Sequence, residues 1–269
     1  MIGQKENLET ITKWRLNKAI PRFTIIEGEE GSGRLTLAKK IIEMLNATGV
    51  IIGIGKDEIR ETIENAYKVQ STTVYIIRNA DDMNVSAKNS LLKLVEEPPN
   101  KAYFIMTLKD ANNTLATIRS RGTLLKMAPY STEELRNFTT DETILRYFNT
   151  PNACMAVDVK QVEKIKKVVM DTIDGIVAKS GTKVLKSCTQ LSNKADDGKI
   201  DCNLFYSIFK VEYLTYAFNN NLLNPEIIRL LFAINRDMNV TSINKKSCIE
   251  CTLLTILNIY KEQENAEIS

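Results

Sequence analysis

The sequence contains no histidine, and this absence removes several kinds of enzyme chemistry. A Ser-His-Asp triad, a Cys-His pair and a histidine-ligated metal all need an imidazole. An enzyme built from this sequence would therefore depend on carboxylates, lysine, arginine or a bound cofactor.

Cysteine is scarce, and long apolar runs are missing. An odd count of five cysteines fits free thiols in a reducing compartment better than a disulfide framework. No apolar run approaches the roughly 18 residues that a membrane span needs. Residues 1–7 contain no apolar signal core. We therefore expect a cytoplasmic protein without membrane contact.

The remaining composition is that of an ordinary folded protein. The chain has 269 residues, of which 43% are hydrophobic and 26% are charged. This length suits two or three domains. A net charge of +3 permits contact with nucleic acid without arguing for it, because DNA-binding domains usually concentrate more positive charge.

The first half of the chain alternates short β-rich runs with helical patterns. This alternation predicts a mainly parallel sheet covered by helices on both faces. The predicted strands are 22–27, 50–52, 72–77, 102–107 and 123–127. The predicted helices are 35–45, 57–67 and 86–97, the last with Ser86 as its N-cap and a stop at Pro98.

The pattern changes after Pro129, where helical signals replace almost all strand signals. Ser131 and Glu134 have the spacing of a capping box, and a break is expected at Pro151. Longer helices are predicted at 162–179, 202–219, 225–235 and 247–263, with loops at Gly181 and 193–199. The predicted division is an α/β domain over 1–128, a small helical segment over 129–161 and a larger helical domain over 162–269.

A glycine-rich turn between the first strand and the next helix resembles a phosphate-binding loop, whose pattern is G-x-x-x-x-G-K-[ST]. Gly28 and Gly33 have the required spacing, but Arg34 stands at the lysine position and Leu35 at the hydroxyl position. The candidate phosphate-contacting residues are Gly28, Gly31, Gly33, Arg34 and Thr36.

Several features argue that this loop is empty. Leucine cannot bind magnesium, and Glu29 and Glu30 add negative charge where phosphates would lie. A working site also needs an Asp-Glu pair at the end of a buried strand, and here Arg78 and Asn79 follow residues 72–77. The glycines would then remain only because they form the turn. The alternative is a relaxed ATPase site that uses Arg34 and Thr36.

Longer segments resemble the AAA+ clamp-loader family. Residues 79–99, from Asn79-Ala80-Asp81-Asp82-Met83 to Glu96-Glu97-Pro98-Pro99, are similar to that family's D-A-D-x-M … N-A-L-L-K-x-L-E-E-P-P segment. The similarity continues through 102–105 and 117–122, the latter resembling T-I-x-S-R-C with Gly122 replacing the cysteine. Ile59-Arg60 and Ile2-Gly3-Gln4 also match, so the resemblance covers roughly residues 1–130.

The resemblance implies a fold and a role. The implied fold is an α/β P-loop AAA+ module, followed by a small helical lid and an all-α C-terminal collar. Within the family, a degenerate nucleotide site beside a retained Ser-Arg pair is typical of the delta-prime subunit of bacterial DNA polymerase III. Ser120 and Arg121 then correspond to the arginine finger, which acts in trans on a neighbouring subunit's ATP. The alternative is that Arg121 is only a surface arginine.

The resemblance also implies partners. These are the gamma/tau motor and delta subunits in a hetero-pentamer, the sliding clamp and the backbone of primer-template DNA. Ser86, Lys88 and Asn89 would face the DNA, unless they simply belong to a solvated helix end. Most aromatic residues of 202–219 are expected in the core of the collar, with a few facing neighbouring subunits.

The chain departs from the family in its cysteines. Bacterial relatives often carry a four-cysteine zinc module, but no cysteine lies between Arg34 and Val74. Zinc and every other cofactor are therefore expected to be absent. Cys248 and Cys251 lie on a predicted helix with Ile249, which favours buried free thiols. These departures leave open a diverged phage or plasmid clamp-loader-like protein outside the main replisome.

Overall fold

A computed structural model describes residues 1–193, 198–238 and 243–268 of the chain. The residues group into two compact units. The first comprises Met1–Thr140 and Asn149–Met155, and the second comprises Asp141–Phe148 and Ala156–Ser269. The predicted lid segment, 129–161, is thus divided between the two units, and the three-part division stays a prediction.

The first unit is built on a five-stranded sheet with the order β2-β3-β4-β1-β5. All its neighbouring strands are parallel. The strands are β1 (Phe23–Glu27), β2 (Thr48–Ile52), β3 (Thr73–Ile77), β4 (Ala102–Leu108) and β5 (Thr123–Lys126). The predicted parallel sheet is confirmed. Its central strands are continuous apolar runs because both faces are covered.

Among the described residues, seven α-helices lie within Met1–Thr140 of the first unit. They are α1 (Lys5–Leu16), α2 (Arg34–Leu45), α3 (Lys56–Ala66), α4 (Val85–Ser90), α5 (Leu92–Glu96), α6 (Ala116–Arg121) and α7 (Thr132–Leu135). On one face of the sheet, Ile26 packs with α1 and α2. Its neighbour Ile25 packs with α3 to α6 on the other face. Successive strand residues point to opposite faces, so one strand contributes to both cores.

The prediction of one helix over 86–97, capped by Ser86, is wrong in two details. The helix begins at Val85 and is interrupted at Leu91, which gives α4 and α5. The N-cap is Asn84 rather than Ser86, because the Asn84 side chain accepts a hydrogen bond from the Ala87 N–H at 2.8 Å. An asparagine caps at least as well as a serine, so the choice between them is decided by backbone geometry.

The second unit is mainly helical, as predicted. Its elements are α8 (Glu142–Tyr147), α10 (Val159–Val177), α11 (Gly181–Thr189), β6 (Leu191–Ser192), β7 (Ile200–Asp201), α12 (Cys202–Asn219), α13 (Pro225–Asp237) and α14 (Lys245–Ile268), while α9 (Pro151–Ala156) begins in the first unit. The predicted loop at Gly181 is wrong, since α11 begins there. Residues 194–197 of the other predicted loop lie outside the described residues.

The interior of the second unit is organised around α12. Phe205, Phe209 and Tyr213 form a stacked row with ring centroids 5.9 and 5.6 Å apart. Glu212 is also buried, and its carboxylate accepts a hydrogen bond from the Tyr147 hydroxyl at 2.6 Å. Phe218, at the end of the helix, is 68% exposed. Most of the aromatic residues are therefore core, as predicted.

The cysteines are all free thiols. Cys188 and Cys202 are buried, and burial raises the pKa of each thiol to about 11. The prediction that Cys248 and Cys251 are both buried is wrong. Cys251 is exposed and Cys248 is half-buried, because the inward face of α14 is formed by residues such as Ile249.

None of the helices in the described ranges combines the length and the apolar content that crossing a bilayer requires.

Candidate functional site

The turn between β1 and α2 has the backbone shape that the glycine pattern predicts. Gly31 and Gly33 have φ values of +81° and +92°, in the left-handed region that favours glycine. A Cβ atom on Gly31 would lie 2.9 Å from the Cβ of Asn152, so a side chain is also excluded by contact. The turn therefore depends on glycine for its conformation and for its packing.

A cavity of about 590 Å³ lies beside this turn, within the first unit. It brings the glycine turn together with the end of β3, the two segments that the sequence analysis treated as parts of one site. Its polar wall includes Arg34, Thr36, Arg78, Asn79 and Thr107. Its apolar wall includes Ile2, Leu35, Phe138, Pro151 and Met155.

Arg34 is a buried charged residue in the polar wall of the cavity. It is only 7% exposed. Its Nη2 donates a long hydrogen bond of 3.4 Å to Asn79 Oδ1, and its Nη1 is buried with no hydrogen-bond partner among the described residues. Burial lowers the pKa of the guanidinium, while nearby Asp81 and Glu30 oppose that shift.

Contacts from distant parts of the first unit hold the turn in place. The Tyr130 hydroxyl donates to the Ser32 carbonyl at 2.9 Å, and the Asn152 N–H donates to the Gly31 carbonyl at 3.4 Å. Sequence reasoning missed both contributors. Pro151, which was predicted as a break, is the first residue of α9, a position that suits proline.

Gly28, although predicted as a site residue, does not line the cavity. A Cβ atom at this position would lie 2.6 Å from the Met127 side chain. Glycine at this position therefore allows the turn to lie close to Met127, the residue that follows β5. The structure brings Gly31, Gly33, Arg34 and Thr36 together around the cavity.

Arg121 lies on the surface, at the C-terminal end of α6, and does not line the cavity. Its side chain is 45% exposed and forms a 3.4 Å ion pair with Glu96. Ser120 is exposed beside it and donates a hydrogen bond to the Thr117 carbonyl. At the next position a Cβ atom on Gly122 would lie 2.8 Å from Ile25 Cδ1, so glycine fits closely against β1.

The residues predicted to contact DNA lie on α4. Ser86 and Asn89 are exposed. Lys88 is half-buried, and its amine donates to the Asn113 carbonyl at 2.6 Å. Because the Asn84 side chain already accepts the Ala87 N–H, the helix offers fewer free amides than an uncapped one.

Comparison with known proteins identifies the relatives of this chain. A family profile described as "DNA polymerase III, delta subunit" matches residues 17–131. The DNA polymerase III subunit gamma of Buchnera aphidicola is 27% identical over 169 residues, which cover 51% of this chain and 47% of that protein. The DNA polymerase III subunit delta' of Escherichia coli is 33% identical over 79 residues, which cover 28% and 24%.

Residues 17–131 are similar to the clamp-loader subunits of DNA polymerase III.

A solved structure supports the fold over almost the whole length of the chain. A "dna polymerase iii, gamma subunit-related protein" from Thermotoga maritima has a TM-score of 0.52, at 18% identity, over 95% of this chain and 99% of that one. The chain spans less than half the length of the curated relatives that it matches.

AAA+ proteins commonly bind a magnesium nucleotide at the glycine turn, and the residues here do not fit the metal. Mg²⁺ prefers an octahedral set of hard oxygen ligands. Leu35 offers no oxygen, and the Asn79 side-chain oxygen accepts from Arg34. Glu30 is the one carboxylate among the described residues lining the cavity, and it pairs with Lys109 at 3.5 Å.

Proposed function

We propose that this chain is an ATPase-inactive, delta-prime-like subunit of the DNA polymerase III clamp loader. In this proposal it helps to load the sliding clamp onto primed DNA in the cytoplasm. It supplies Arg121 as an arginine finger to the ATP site of a neighbouring subunit.

The loss of metal ligands around the glycine turn supports the ATPase-inactive part of the proposal. Hydrolysis of ATP in this fold needs a carboxylate aligned on magnesium and a second one that polarises water. Arg78 and Asn79 stand at those positions, and Leu35 stands where the metal-binding hydroxyl would be. A positive charge at the carboxylate position repels the metal that hydrolysis requires.

The observation that carries the proposal is the exposure of Arg121. Its guanidinium is near the surface, outside the chain's own cavity, in a surface ion pair with Glu96. An exposed ion pair contributes little and exchanges easily, so the guanidinium is available to a partner. A guanidinium supplied in trans stabilises the charge that develops on a transferred phosphoryl group.

The proposed partners follow from the relatives and not from contacts in this chain. We assign the second unit to the collar, with the domain limits 129–161 and 162–269, and expect assembly with gamma/tau and delta subunits into a hetero-pentamer. Ser86, Lys88 and Asn89 are proposed to approach the DNA backbone, where amides and polar side chains hold phosphates without reading sequence.

Assembly is the first test of this function. The full chain, mixed with motor and delta subunits from the same organism, should co-elute with them as one complex in size-exclusion chromatography. Failure to associate with any of them, while the chain remains folded by circular dichroism, would remove the replication assignment and leave the fold intact.

A further inference from the structure

The exposed ion pair between Arg121 and Glu96 joins two helices of the first unit. We propose that Glu96 is a positioning residue for Arg121. It holds one edge of the guanidinium on its own chain, so that the remaining N–H groups are directed across the subunit boundary. This inference rests on the proposed function and deepens it, because it names a second residue through which the chain acts on a neighbouring ATP site.

The backbone on both sides of the pair is anchored in the core. Glu96 is the last residue of α5 and follows Val95, which is buried. Arg121 is the last residue of α6 and lies about one turn after Ile118, which is fully buried. Val95 and Ile118 belong to the same apolar cluster. Since both helix ends are fixed by one core, a change at Glu96 acts on the Arg121 side chain and not on its backbone.

The guanidinium of Arg121 is held at two points of its own chain. Its Nη2 lies 3.4 Å from Glu96 Oε1, and its Nη1 donates to the Thr117 carbonyl at 3.4 Å. Both contacts are longer than an ideal hydrogen bond. A guanidinium has more N–H donors than these two contacts use, so Arg121 can keep both and still donate to a phosphate group.

The pairing is specific to Glu96 among the neighbouring carboxylates. Within the described residues, Arg121 forms no ion pair other than this one. Glu97, the next residue, is also exposed, and its backbone carbonyl accepts a hydrogen bond from the Tyr67 hydroxyl at 2.9 Å. Glu97 therefore has the same charge beside the same helix end without the contact to Arg121, which makes it a matched control.

Assembly should strengthen the pair. An exposed ion pair contributes little in water. A neighbouring subunit that covers the end of α6 would exclude water, and opposite charges attract more strongly as the surrounding dielectric falls. A covered guanidinium also needs partners for the N–H groups that do not reach phosphate, because an unsatisfied buried donor is costly. Glu96 and the Thr117 carbonyl supply those partners from this chain.

A positioning role predicts an effect on kcat and not on KM. In the proposed function the ATP is held by the neighbouring subunit, so loss of Glu96 should leave the KM for ATP unchanged. Stabilisation of the transferred phosphoryl group depends on where the guanidinium lies. A guanidinium that is no longer held at one edge should therefore give a lower kcat.

The ATPase rate of the reconstituted clamp loader, with the full chain, primed DNA and the sliding clamp, tests this role. The quantity to follow is the part of kcat that Arg121→Ala removes. Glu96→Gln keeps the size and loses the charge, and it should reduce that part about threefold to tenfold at unchanged KM for ATP. Glu97→Gln should retain the wild-type rate. An unchanged or higher kcat with Glu96→Gln would overturn the inference.

A double variant separates positioning from a general structural effect. If Glu96 acts through Arg121, the combination of Glu96→Gln with Arg121→Ala should match Arg121→Ala alone within about twofold. A further loss of activity would show that Glu96 acts elsewhere and would refute the assignment. Both side chains are exposed, so the variants should fold, and urea unfolding of the chain alone checks this.

Arg121→Ala also distinguishes a failure of this inference from a failure of the proposed function. A rate that falls with Arg121→Ala but not with Glu96→Gln would remove the positioning role and leave the proposed function intact. An unchanged rate with Arg121→Ala would remove both, because Glu96 is proposed to act through Arg121 alone.

Discussion

Arg34 is the residue on which the interpretation of the cavity depends. Lysine at this position would be a compact point charge, whereas arginine presents a planar fork that reaches further. Here that fork extends towards Asn79 and leaves Nη1 buried without a partner among the described residues. The positive charge of the phosphate loop is retained, and the adjacent Leu35 removes the oxygen that a metal would need.

Gly31 allows a prediction about stability at the scale of one residue. Gly31→Ala should lower the free energy of unfolding by about 2 kcal/mol, because a left-handed φ of +81° disfavours a Cβ atom and Asn152 lies 2.9 Å from it. The midpoint of urea unfolding measures the change. Gly55→Ala is the control, since φ is −70° there and a Cβ would meet nothing within 4 Å. Equal stability of the two variants would contradict the account.

The buried thiols predict a dependence of stability on alkaline pH. Burial raises the pKa of Cys188 from 9.0 to about 11, so the folded state keeps the proton after the unfolded state has lost it. The stability contributed by the neutral thiol is complete below pH 9.0 and is lost as the pH rises towards about 11.

Chemical denaturation across that pH range measures the effect. Cys188→Ala should flatten the alkaline loss of stability, although it lowers stability at every pH through the cavity that it creates. Cys251→Ala, which removes an exposed thiol, should leave the slope unchanged. If stability fell as steeply with rising pH in Cys188→Ala as in wild type, burial would not be protecting the Cys188 thiol from deprotonation.

At the scale of secondary structure, the sequence predicted the strands well because most of them are short apolar runs buried on both faces. The predicted ends of helices were wrong where two local sequence signals compete. Asn84 and Ser86 are both good caps, and only the backbone geometry decides between them. Gly181 was predicted as a loop because glycine disfavours helix, but at the first position of α11 it interrupts no helical turn.

The site was predicted in part, and the reason for the limit is physical. Residues adjacent along the chain, such as Gly33 and Arg34, were identified by their spacing. Tyr130 and Asn152 were not, because each contacts the turn only through tertiary folding, with 98 residues separating Tyr130 from Ser32. Neither residue carries a motif that would indicate its role.

The contact between α8 and α12 predicts a stability effect in the second unit. The Tyr147 hydroxyl donates to Glu212 at 2.6 Å, where the Glu212 side chain is 9% exposed and also pairs with Arg146 at 3.0 Å. Tyr147→Phe should destabilise the protein by about 2 kcal/mol, since it leaves a buried carboxylate short of one donor.

Urea unfolding of Tyr147→Phe, compared with wild type, tests this contact. Tyr216→Phe changes a half-buried tyrosine on the same helix as Glu212 and should shift stability by less than about 0.5 kcal/mol. If Tyr147→Phe and Tyr216→Phe were equally stable, the hydrogen bond from Tyr147 to Glu212 would contribute no more to stability than the Tyr216 hydroxyl does.

At the scale of the whole molecule, the chain combines an AAA+ sheet domain with a helical unit. Two arginines, Arg34 and Arg121, are in different environments. Arg34 is buried at the chain's own cavity, and Arg121 is exposed at the end of α6. If the proposed function is correct, a change at Arg121 affects the activity of a neighbouring subunit.

The steady-state ATPase rate of the reconstituted clamp loader, measured with primed DNA and the sliding clamp, is the most direct test of this account. Arg121→Ala should reduce turnover at the site it serves by about a thousandfold or more, as for other arginine fingers. Arg119→Ala, on the same helix, should leave the rate close to wild type. An unchanged rate with Arg121→Ala would contradict the proposed role of Arg121.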